Sequence, residues 1–472
     1  MLLLALGLCF ASGYFLVNSA WPREQPNSAG ALVRVAISVG FALAIFSIEF
    51  LFERLLGITH LLGVDAGCMA SMFILYLVGR RRRSKVSLEL QQIADFAIPS
   101  WIRRVLAAAL AVAVLVALYS AVLRILAHPH GEGWDAFSIW NLRARFLFLG
   151  GAQWRGGFSD LIPWSHPDYP LLVPGAIAHL WTYLGHDDPL VPAIVGVVFA
   201  FSTLALLFSS LARLRGRNAA LLAGLALTST PFFIEQGTSQ YADVPLSFFI
   251  LASIVLLCIG RDHRGLLIFA GMAAGFAAWT KNEGLLFLLA LAVGLAWAAI
   301  LRNIRDTGRN STDRRWRDFL LFLAGAAPVL LVIALFKHYV ATAGDLFSSP
   351  RVMIYKMLAP GRYWIVFRWF LKELLRFGAW WIVPCTVAMV VFYLLVRRKQ
   401  SRSRDPLCGS CVLALVLTLI GYFTIYLITP RDLYWHLRFS LNRLFLQLWP
   451  VIIFLFFLFA ARQPPALSQS EA

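Results

Sequence analysis

Residues 105–148 read "VLAAALAVAVLVALYSAVLRILAHPHGEGWDAFSIWNLRARFLF", an apolar run that changes at once into a polar and aromatic segment. A helix needs about 20 apolar residues to cross a bilayer, and this run is long enough. The segment after it mixes acidic, basic and aromatic side chains: Glu132, Asp135, Arg143, Arg145, Trp134, Phe137 and Trp140. The sequence therefore predicts a membrane helix whose end presents charges and indole rings together at the membrane surface.

The composition indicates the class of the protein. Of the 472 residues, 60% are hydrophobic and 14% are charged, which is more apolar surface than one soluble core buries. The predicted fold class is an all-α polytopic protein in a lipid bilayer. The net charge is +18, but Lys and Arg stand in short clusters between apolar runs, where they set topology and bind anionic lipid. Nucleic acid is therefore excluded as the partner.

Apolar runs predict about thirteen transmembrane helices. They lie near 1–20, 31–52, 55–79, 104–127, 189–212, 218–236, 242–260, 265–280, 284–301, 318–337, 378–397, 411–429 and 445–461. The run 265–280 is short for a span, and 31–79 could form a tight hairpin. The first run could instead be a signal sequence, although it lacks a basic start and a clear cleavage site.

The basic clusters predict the orientation. They lie at 79–85, 101–104, 212–217, 261–264, 302–318 and 397–404, on one side of alternating spans. Because positive loops stay inside, that side is the cytoplasm. The other side receives 128–188, the junctions near 237–243 and 281–284, 338–377 and 429–443. The expected location is the plasma, or inner, membrane of a bacterium, with the site facing outward.

The outer segments are rich in cations interleaved with aromatic residues. They contain Arg143, Arg145, Arg155, Lys356, Arg362, Arg368, Lys372, Arg376, Arg431, Arg438 and Arg443. One interpretation is an aromatic belt in which long cationic side chains reach the lipid headgroups. The other is a site for a phosphate-bearing substrate dissolved in the membrane.

The cysteines add little to the prediction. The motif "CGSC" at 408–411 has no second ligand pair for zinc, so reduced thiols are expected.

Two outer stretches place polar side chains next to membrane segments. In "GEGWDAFSIWNLRARF", Asp135 follows a span by a few residues, so its carboxylate lies at the membrane surface. In "WSHPDYPLLVPGAIAHLWTYLGHDDPLVP", residues 164–192, His166 and Asp168 precede an apolar stretch of about 14 residues. That stretch is too short to cross easily and predicts an interfacial or re-entrant helix. His166 could also be an ordinary loop residue bonded to backbone.

Two further stretches carry charges at span junctions on the same predicted side. In "EQGTSQYADVPLSFFILAS", residues 235–253, Asp243 stands two residues before a proline, where it could simply cap a helix. In "AAWTKNEGLLF", residues 277–287, Lys281 and Glu283 could form an ion pair within a tight turn. Asp135 is harder to explain this way, since a carboxylate beside tryptophans at a membrane face is costly unless paired or used.

The order of these pieces resembles that of the type C (GT-C) integral-membrane glycosyltransferases. It looks most similar to the branch that uses polyprenyl-phosphate sugars and includes protein O-mannosyltransferases and aminoarabinose transferases of lipid A. The resemblance covers roughly residues 104–300, with a weaker echo at "WHLRFSLNRLFLQLWP", residues 435–450. No single piece is specific, but the order is.

The resemblance implies roles for individual residues. Asp135 matches the family's first-loop acid, which acts as base or orients the acceptor. Asp243 matches the acid before Pro-Leu, and Lys281 the lysine after the next span. His166 and Asp168 depart from the family's pattern, which leaves donor contacts there open. The first loop has one acid where the family often has a pair, so the cofactor is unknown and a divalent metal ion remains open.

The residues also fit transfer chemistry directly. The expected donor is a polyprenyl-phosphate-linked sugar, and the acceptor a glycan, lipid or protein hydroxyl. Asp135 would serve as the base, and the transfer would invert the anomeric carbon. Cations expected to bind the donor phosphate are Lys281, Arg143, Arg145, Arg438 and Arg443. Residues expected to contact substrate are Trp134, Trp140, Trp164, His166, Asp168, Asp243 and Glu283.

Two other functions remain open at this point. A transporter or flippase for a lipid-linked solute would use the same basic groove, yet it usually shows repeated halves and broken helices at the midplane. A glycan ligase or polymerase would carry its large outer loop late in the chain, as 338–377 does. The predicted organisation is residues 1–103 as extra helices of unknown role, 104–300 as the catalytic core with outer loop 128–188, and 301–472 as C-terminal helices with outer segment 338–377.

Overall fold

A computed structural model gives the fold of the chain. It describes residues 1–22, 28–58, 60–82, 95–260, 263–305, 309–342, 344, 349–378, 389 and 406–460. Throughout these residues the regular secondary structure is helical, and they contain no β-strand. The predicted all-α polytopic membrane fold is confirmed.

The α-helices are numbered here in chain order. They are α1 (Leu2–Ala20), α2 (Ser28–Leu56), α3 (Leu61–Arg82), α4 (Ser100–Ala127), α5 (Leu142–Leu149), α6 (Leu172–Leu184), α7 (Leu190–Leu214), α8 (Arg217–Thr228), α9 (Pro231–Thr238), α10 (Asp243–Ile259), α11 (Arg264–Thr280), α12 (Asn282–Arg305), α13 (Arg309–Tyr339), α14 (Pro350–Met357), α15 (Pro360–Arg376), α16 (Pro406–Ile428) and α17 (Leu433–Phe459). A π-helical segment, Ala136–Asn141, leads into α5. Short 3₁₀ helices lie at Gly151–Phe158 and Pro163–Ser165.

Within the described ranges, 9 helices are long and apolar enough to cross a membrane: α1, α2, α3, α4, α7, α12, α13, α16 and α17. The pair α9 and α10 is bent by 113° and would make 10 if it counts as one span. The predicted total of about thirteen is not confirmed. One predicted span, 378–397, lies largely outside the residues that the structure describes.

The predicted span 218–236 differs from the structure for a local reason. Helix α8 ends at Thr228, and α9 begins at Pro231. Proline suits the first turn of a helix but cannot continue one that is already running, so the apolar run divides into two short helices. The predicted span 265–280 corresponds to α11, which has 17 residues and is short for a bilayer. The short apolar stretch after Asp168 forms the 13-residue helix α6.

Close helix contacts hold the core together. Helices α11 and α13 approach through glycines on both sides: a Cβ atom added at Gly271 would lie 1.8 Å from the Phe322 carbonyl oxygen, and one at Gly325 would lie 1.9 Å from that of Ile268. Small residues allow such approach between membrane helices. The N-terminal helices pack on one another, and α2 also packs on α6 and α7. Residues 1–56 are therefore continuous with the rest of the core.

The loop after α4 is tied to the bend between α9 and α10. The Asn141 side-chain amide donates to the Gln240 side-chain oxygen at 2.6 Å, and the Gln240 amide donates to the Pro129 carbonyl at 2.9 Å. Gln240 has φ of 62°, a left-handed conformation that is uncommon outside glycine. These bonds bring the segment that contains Asp135 against the start of α10.

Candidate functional site

Arg443 on α17 joins two carboxylates from distant parts of the chain. Its Nε and Nη2 atoms lie 2.9 and 2.8 Å from Asp243 Oδ2, and its Nη1 atom donates to Asp135 Oδ2. The Asp243 side chain is fully buried, whereas that of Asp135 is 26% exposed. The guanidinium therefore connects a carboxylate inside the protein to one that is partly exposed at the surface.

Lys281 binds the other side of Asp243. Its Nζ atom lies 2.9 Å from Asp243 Oδ1 and 3.0 Å from Glu283 Oε1. Burial lowers the pKa of Lys281, but Asp243 and Glu283 raise it more, so the pKa ends above its ordinary value. Gln447 adds a third donor to Asp243 at 2.6 Å and accepts from the Tyr422 hydroxyl at 2.7 Å. We call Asp135, Asp243, Lys281, Glu283, Arg443 and Gln447 the central network.

The central network resolves the alternatives left by the sequence for two of its members. Asp243 is in the first turn of α10, yet its carboxylate binds Arg443, Lys281 and Gln447 instead of serving as a simple cap. The turn pair of Lys281 and Glu283 is present, but Lys281 also reaches a second helix through Asp243. Buried charges of this kind are stable only when they are paired and hydrogen-bonded.

The charges of the central network nearly balance. Three carboxylates face two cations, which leaves a net charge of −1. Each carboxylate contacts Arg443 or Lys281, so these side chains supply the positive charge that a divalent metal ion would otherwise supply at the acids.

Tyr169 lies next to the central network. Its ring stacks with that of Trp140, at 5.6 Å between centroids, and with that of His166, at 4.8 Å. The Lys281 Nζ atom lies 5.8 Å from the centre of the Tyr169 ring, and Arg431 Nη2 lies 3.3 Å from His166 Nε2. Burial raises the pKa of Tyr169 well above its ordinary range, so the hydroxyl stays neutral. Tyr169 therefore contacts Lys281, and His166 contacts both Tyr169 and Arg431.

Asp168 is held by protein partners. It accepts a hydrogen bond from the Asn282 amide at 2.6 Å, and its carboxylate lies 3.8 Å from Lys337 Nζ. Lys337 also donates to the Asp168 carbonyl and to Asn282 Oδ1 at 3.1 Å. This group connects the loop before α6 to the start of α12, next to Lys281.

Three predicted phosphate-binding arginines lie outside the central network. Arg143 is 1% exposed and donates to the carbonyls of Ser165 and His166, and burial lowers its pKa to about 10. Arg145 binds Asp187 at 2.9 Å and thereby lowers the pKa of that carboxyl. Arg438 is exposed, and it lies five positions before Arg443, which puts the two about 140° apart around α17.

The predicted aromatic surface is divided between buried and exposed rings. Trp140 is fully buried beneath Tyr169, so it supports the loop from inside. Trp134 is 64% exposed and Trp164 49% exposed. Of the three predicted tryptophans, these two are therefore the ones that expose their indole rings.

Two residues of the site were not predicted from the sequence. They are Gln447, which donates to Asp243 within the central network, and Tyr241, whose ring centre lies 4.5 Å from the Arg443 guanidinium carbon. A signal for Gln447 was available. His436, Ser440, Arg443 and Gln447 follow one another at spacings of four, three and four residues, which places them on one face of α17.

Residues 165–336 match a family model described as dolichyl-phosphate-mannose-protein mannosyltransferase. The match covers roughly a third of the chain and includes Asp168, Asp243, Lys281 and Glu283, but not Asp135 or Arg443. No curated protein and no solved structure matches the chain. The similarity and the polytopic helical fold together support the class of integral-membrane glycosyltransferases of the type C kind.

Proposed function

We propose that the protein transfers a sugar from a polyprenyl-phosphate donor to a hydroxyl group of a lipid, glycan or protein. The observation that carries the proposal is the contact through Arg443 between the partly exposed Asp135 and the buried Asp243 and Lys281. It supports a base and a phosphate-binding cation side by side in a membrane protein with a glycosyltransferase family match. The order of motifs favours the branch of protein O-mannosyltransferases and aminoarabinose transferases.

Asp135 is the base in this proposal. Arg443 holds one carboxylate oxygen, and the partial exposure of the side chain leaves room for an acceptor hydroxyl. The hydroxyl oxygen forms the new bond to the anomeric carbon as its proton moves to Asp135. The bond from that carbon to the phosphate oxygen breaks, and the electron pair stays with the phosphate.

Arg443 is the proposed contact for the departing phosphate. A guanidinium has five N–H donors: two on Arg443 donate to the aspartates, and a third, on Nη2, lies beside Asp243 Oδ2 at a nitrogen-to-oxygen distance of 2.8 Å. Two are left for phosphate oxygens. The phosphate gains one negative charge on leaving while Asp135 loses one by taking the proton, so the total charge of the site is unchanged. Lys281 fixes Asp243 and adds positive charge behind Arg443.

Direct displacement with inversion is the expected stereochemistry. A retaining mechanism needs a second carboxylate as nucleophile. Asp243 and Glu283 are bound to Lys281, and Asp168 is bound to Asn282, so the protein already engages these carboxylates. Trp134 and Trp164, which are exposed, are proposed to contact sugar or isoprenoid. In this proposal the site faces outward from a bacterial inner membrane, which is the orientation that the positive-inside pattern favours.

The test is donor-dependent transfer by the full-length protein in liposomes. A polyprenyl-phosphate sugar labelled in the sugar is supplied with extracted envelope glycans, lipids and proteins, and a nucleotide sugar serves as the control donor. Transfer of label with release of polyprenyl phosphate, only from the lipid donor, is the expected result. Movement of intact donor across the bilayer without release would indicate a flippase, and transfer of a preassembled glycan would indicate a ligase. Either would contradict the proposal.

A further inference from the structure

A second polar cluster lies away from the central network, among the N-terminal helices. Glu49 on α2, Asp65 on α3 and His179 on α6 each offer a ligand atom, and these atoms all lie within 4.8 Å of one another. The side chains of Asp65 and His179 are fully buried. Sequence reasoning missed this cluster, because each member is a single polar residue inside a different apolar segment.

The imidazole of His179 is arranged as a ligand. Its Nδ1 atom lies 3.1 Å from the Phe46 carbonyl oxygen, which can only accept, so Nδ1 carries the hydrogen. In the neutral ring, Nε2 then holds a lone pair. Nε2 lies 3.3 Å from Asp65 Oδ2 and has no hydrogen-bond partner among the described residues. Two acceptors that face each other at this distance need a proton or a cation between them.

The surrounding carboxylates show the same deficit of positive charge. Glu53 follows Glu49 by one helical turn and is 1% exposed, and neither of its carboxylate oxygens has a hydrogen-bond partner in the described part of the chain. Asp65 Oδ1 likewise has none there, while Oδ2 accepts from the Tyr183 hydroxyl. When all three carboxylates are ionised, one nearby cation, Arg54, leaves two negative charges. A divalent cation would balance them.

We propose that Glu49, Asp65 and His179 bind a divalent transition-metal ion, with Zn²⁺ the best fit. An imidazole with carboxylates suits Zn²⁺, whereas Mg²⁺ and Ca²⁺ prefer oxygen ligands alone. The Phe46 carbonyl orients His179 in the way that outer-shell partners orient metal-bound histidines. Glu53 lies close enough to His179 and Asp65 to interact with them electrostatically, and it adds negative charge beside the site.

The metal ion would hold three helices together. The Ser47 hydroxyl on α2 donates to the Leu171 carbonyl at 2.7 Å, immediately before α6 begins. A metal held by α2, α3 and α6 would therefore fix the helix that directly follows Asp168 and Tyr169. A cleft lined by His60, Leu61, Thr182 and Tyr183 lies next to the cluster, since the Tyr183 hydroxyl donates to Asp65. This gives the N-terminal helices a structural role that does not depend on the transfer reaction.

The test is metal retention by the full-length protein, purified in detergent without a polyhistidine tag. The protein is stripped with chelator, loaded with Zn²⁺, passed through gel filtration and analysed for metal, with Mg²⁺ as the comparison ion. About one Zn²⁺ per chain, with a higher melting temperature, is expected for the wild type. His179→Gln and Asp65→Asn should lose both effects. His186→Gln, a change at an exposed histidine outside the cluster, should keep them.

The rival account is a proton in place of the metal, with His179 as an imidazolium paired to Asp65. Under that account the stripped wild type retains no stoichiometric Zn²⁺ and its melting temperature does not change. That result, or equal retention by wild type and cluster variants, would overturn the proposal. If the variants fail to fold, the visible absorption of Co²⁺ bound to the wild type decides, since a nitrogen and oxygen site gives bands that aqueous Co²⁺ lacks.

Discussion

The two buried polar groups of this protein differ in how their charges are satisfied. In the central network each carboxylate has a cation from the protein: Arg443 for Asp135, and Lys281 for Asp243 and Glu283. In the cluster of Glu49, Asp65 and His179, the carboxylate oxygens and the imidazole nitrogen that face one another are hydrogen-bond acceptors. Buried charge is tolerated only when it is paired. The first group is therefore complete as folded, and the second calls for an added positive charge.

The two groups also differ in where the chain supplies them. The network takes most of its members from helix ends, namely the loop after α4, the first turn of α10 and the junction of α11 and α12, and it takes Arg443 and Gln447 from the interior of α17. The cluster uses positions within α2, α3 and α6. Helix ends leave Asp135 partly exposed, whereas Asp65 and His179 are enclosed. The arrangement at helix ends suits chemistry on a substrate, and the enclosed one suits a structural ion.

The largest expected effect is loss of stability on removing Asp243. Asp243→Ala leaves Lys281 and Arg443 short of their shared partner inside the protein, and breaking a buried pair typically costs about 3–5 kcal/mol. We expect a much lower melting temperature and a smaller yield of monodisperse protein. Asp160→Ala, at an exposed aspartate of the outer loop, is the matched control. Equal stability of the two variants would show that the network is not needed for folding.

A smaller effect is expected when residue 443 keeps a positive charge but loses the planar guanidinium group. Lys cannot reach Asp135 and Asp243 with three donors in one plane, so Arg443→Lys should misplace the base while the fold survives. Losing such a charge-assisted contact costs about 1.5–3 kcal/mol, or roughly ten- to a hundredfold in turnover. Steady-state kinetics should show most of the loss in kcat. Arg155→Lys, on the exposed outer loop, should behave as wild type, and unchanged kcat in Arg443→Lys would argue against the proposed role.

The smallest effects provide the sharpest comparison between the two regions. Glu283→Gln removes a partner of Lys281 and should lower stability by about 1.5 kcal/mol. Glu49→Gln in chelated protein removes one of several facing carboxylates and should leave stability unchanged or slightly higher. Thermal melts of both variants in the same detergent with chelator measure this difference. A loss for Glu49→Gln as large as that for Glu283→Gln would mean that Glu49 already has a protein cation.

Much of the fold could be predicted from the sequence, because an apolar run of about 20 residues is a strong signal for a membrane helix. Breaks within the apolar runs were harder to predict. The segment 218–236 divides at Pro231, and a proline inside an apolar run was the available sign. The bend of 113° between α9 and α10 depends on contacts such as that of Gln240 with Pro129, which no local pattern predicts.

The sequence predicts which residues belong to the site better than it predicts which of those residues pair with one another. The sequence pointed to Asp135, Asp243, Lys281 and Arg443 through their places at span ends, and the structure brings these four together. It also pointed to Arg143, but only tertiary contacts reveal that its guanidinium is buried against the Ser165 and His166 carbonyls. Which cation meets which carboxylate depends on helix packing across more than 300 positions of the chain, from Asp135 to Arg443.

The most direct test of the central claim is the rate of sugar transfer by Asp135→Asn with labelled lipid donor already bound. The variant keeps the shape and hydrogen bonding of the side chain but removes the base, so the rate should fall by about a hundred- to ten-thousandfold. Donor affinity should match or exceed that of the wild type, since a negative charge near the phosphate is lost. Asp160→Asn is the control, and melting temperatures confirm folding. Transfer at close to the wild-type rate by folded Asp135→Asn would contradict the account.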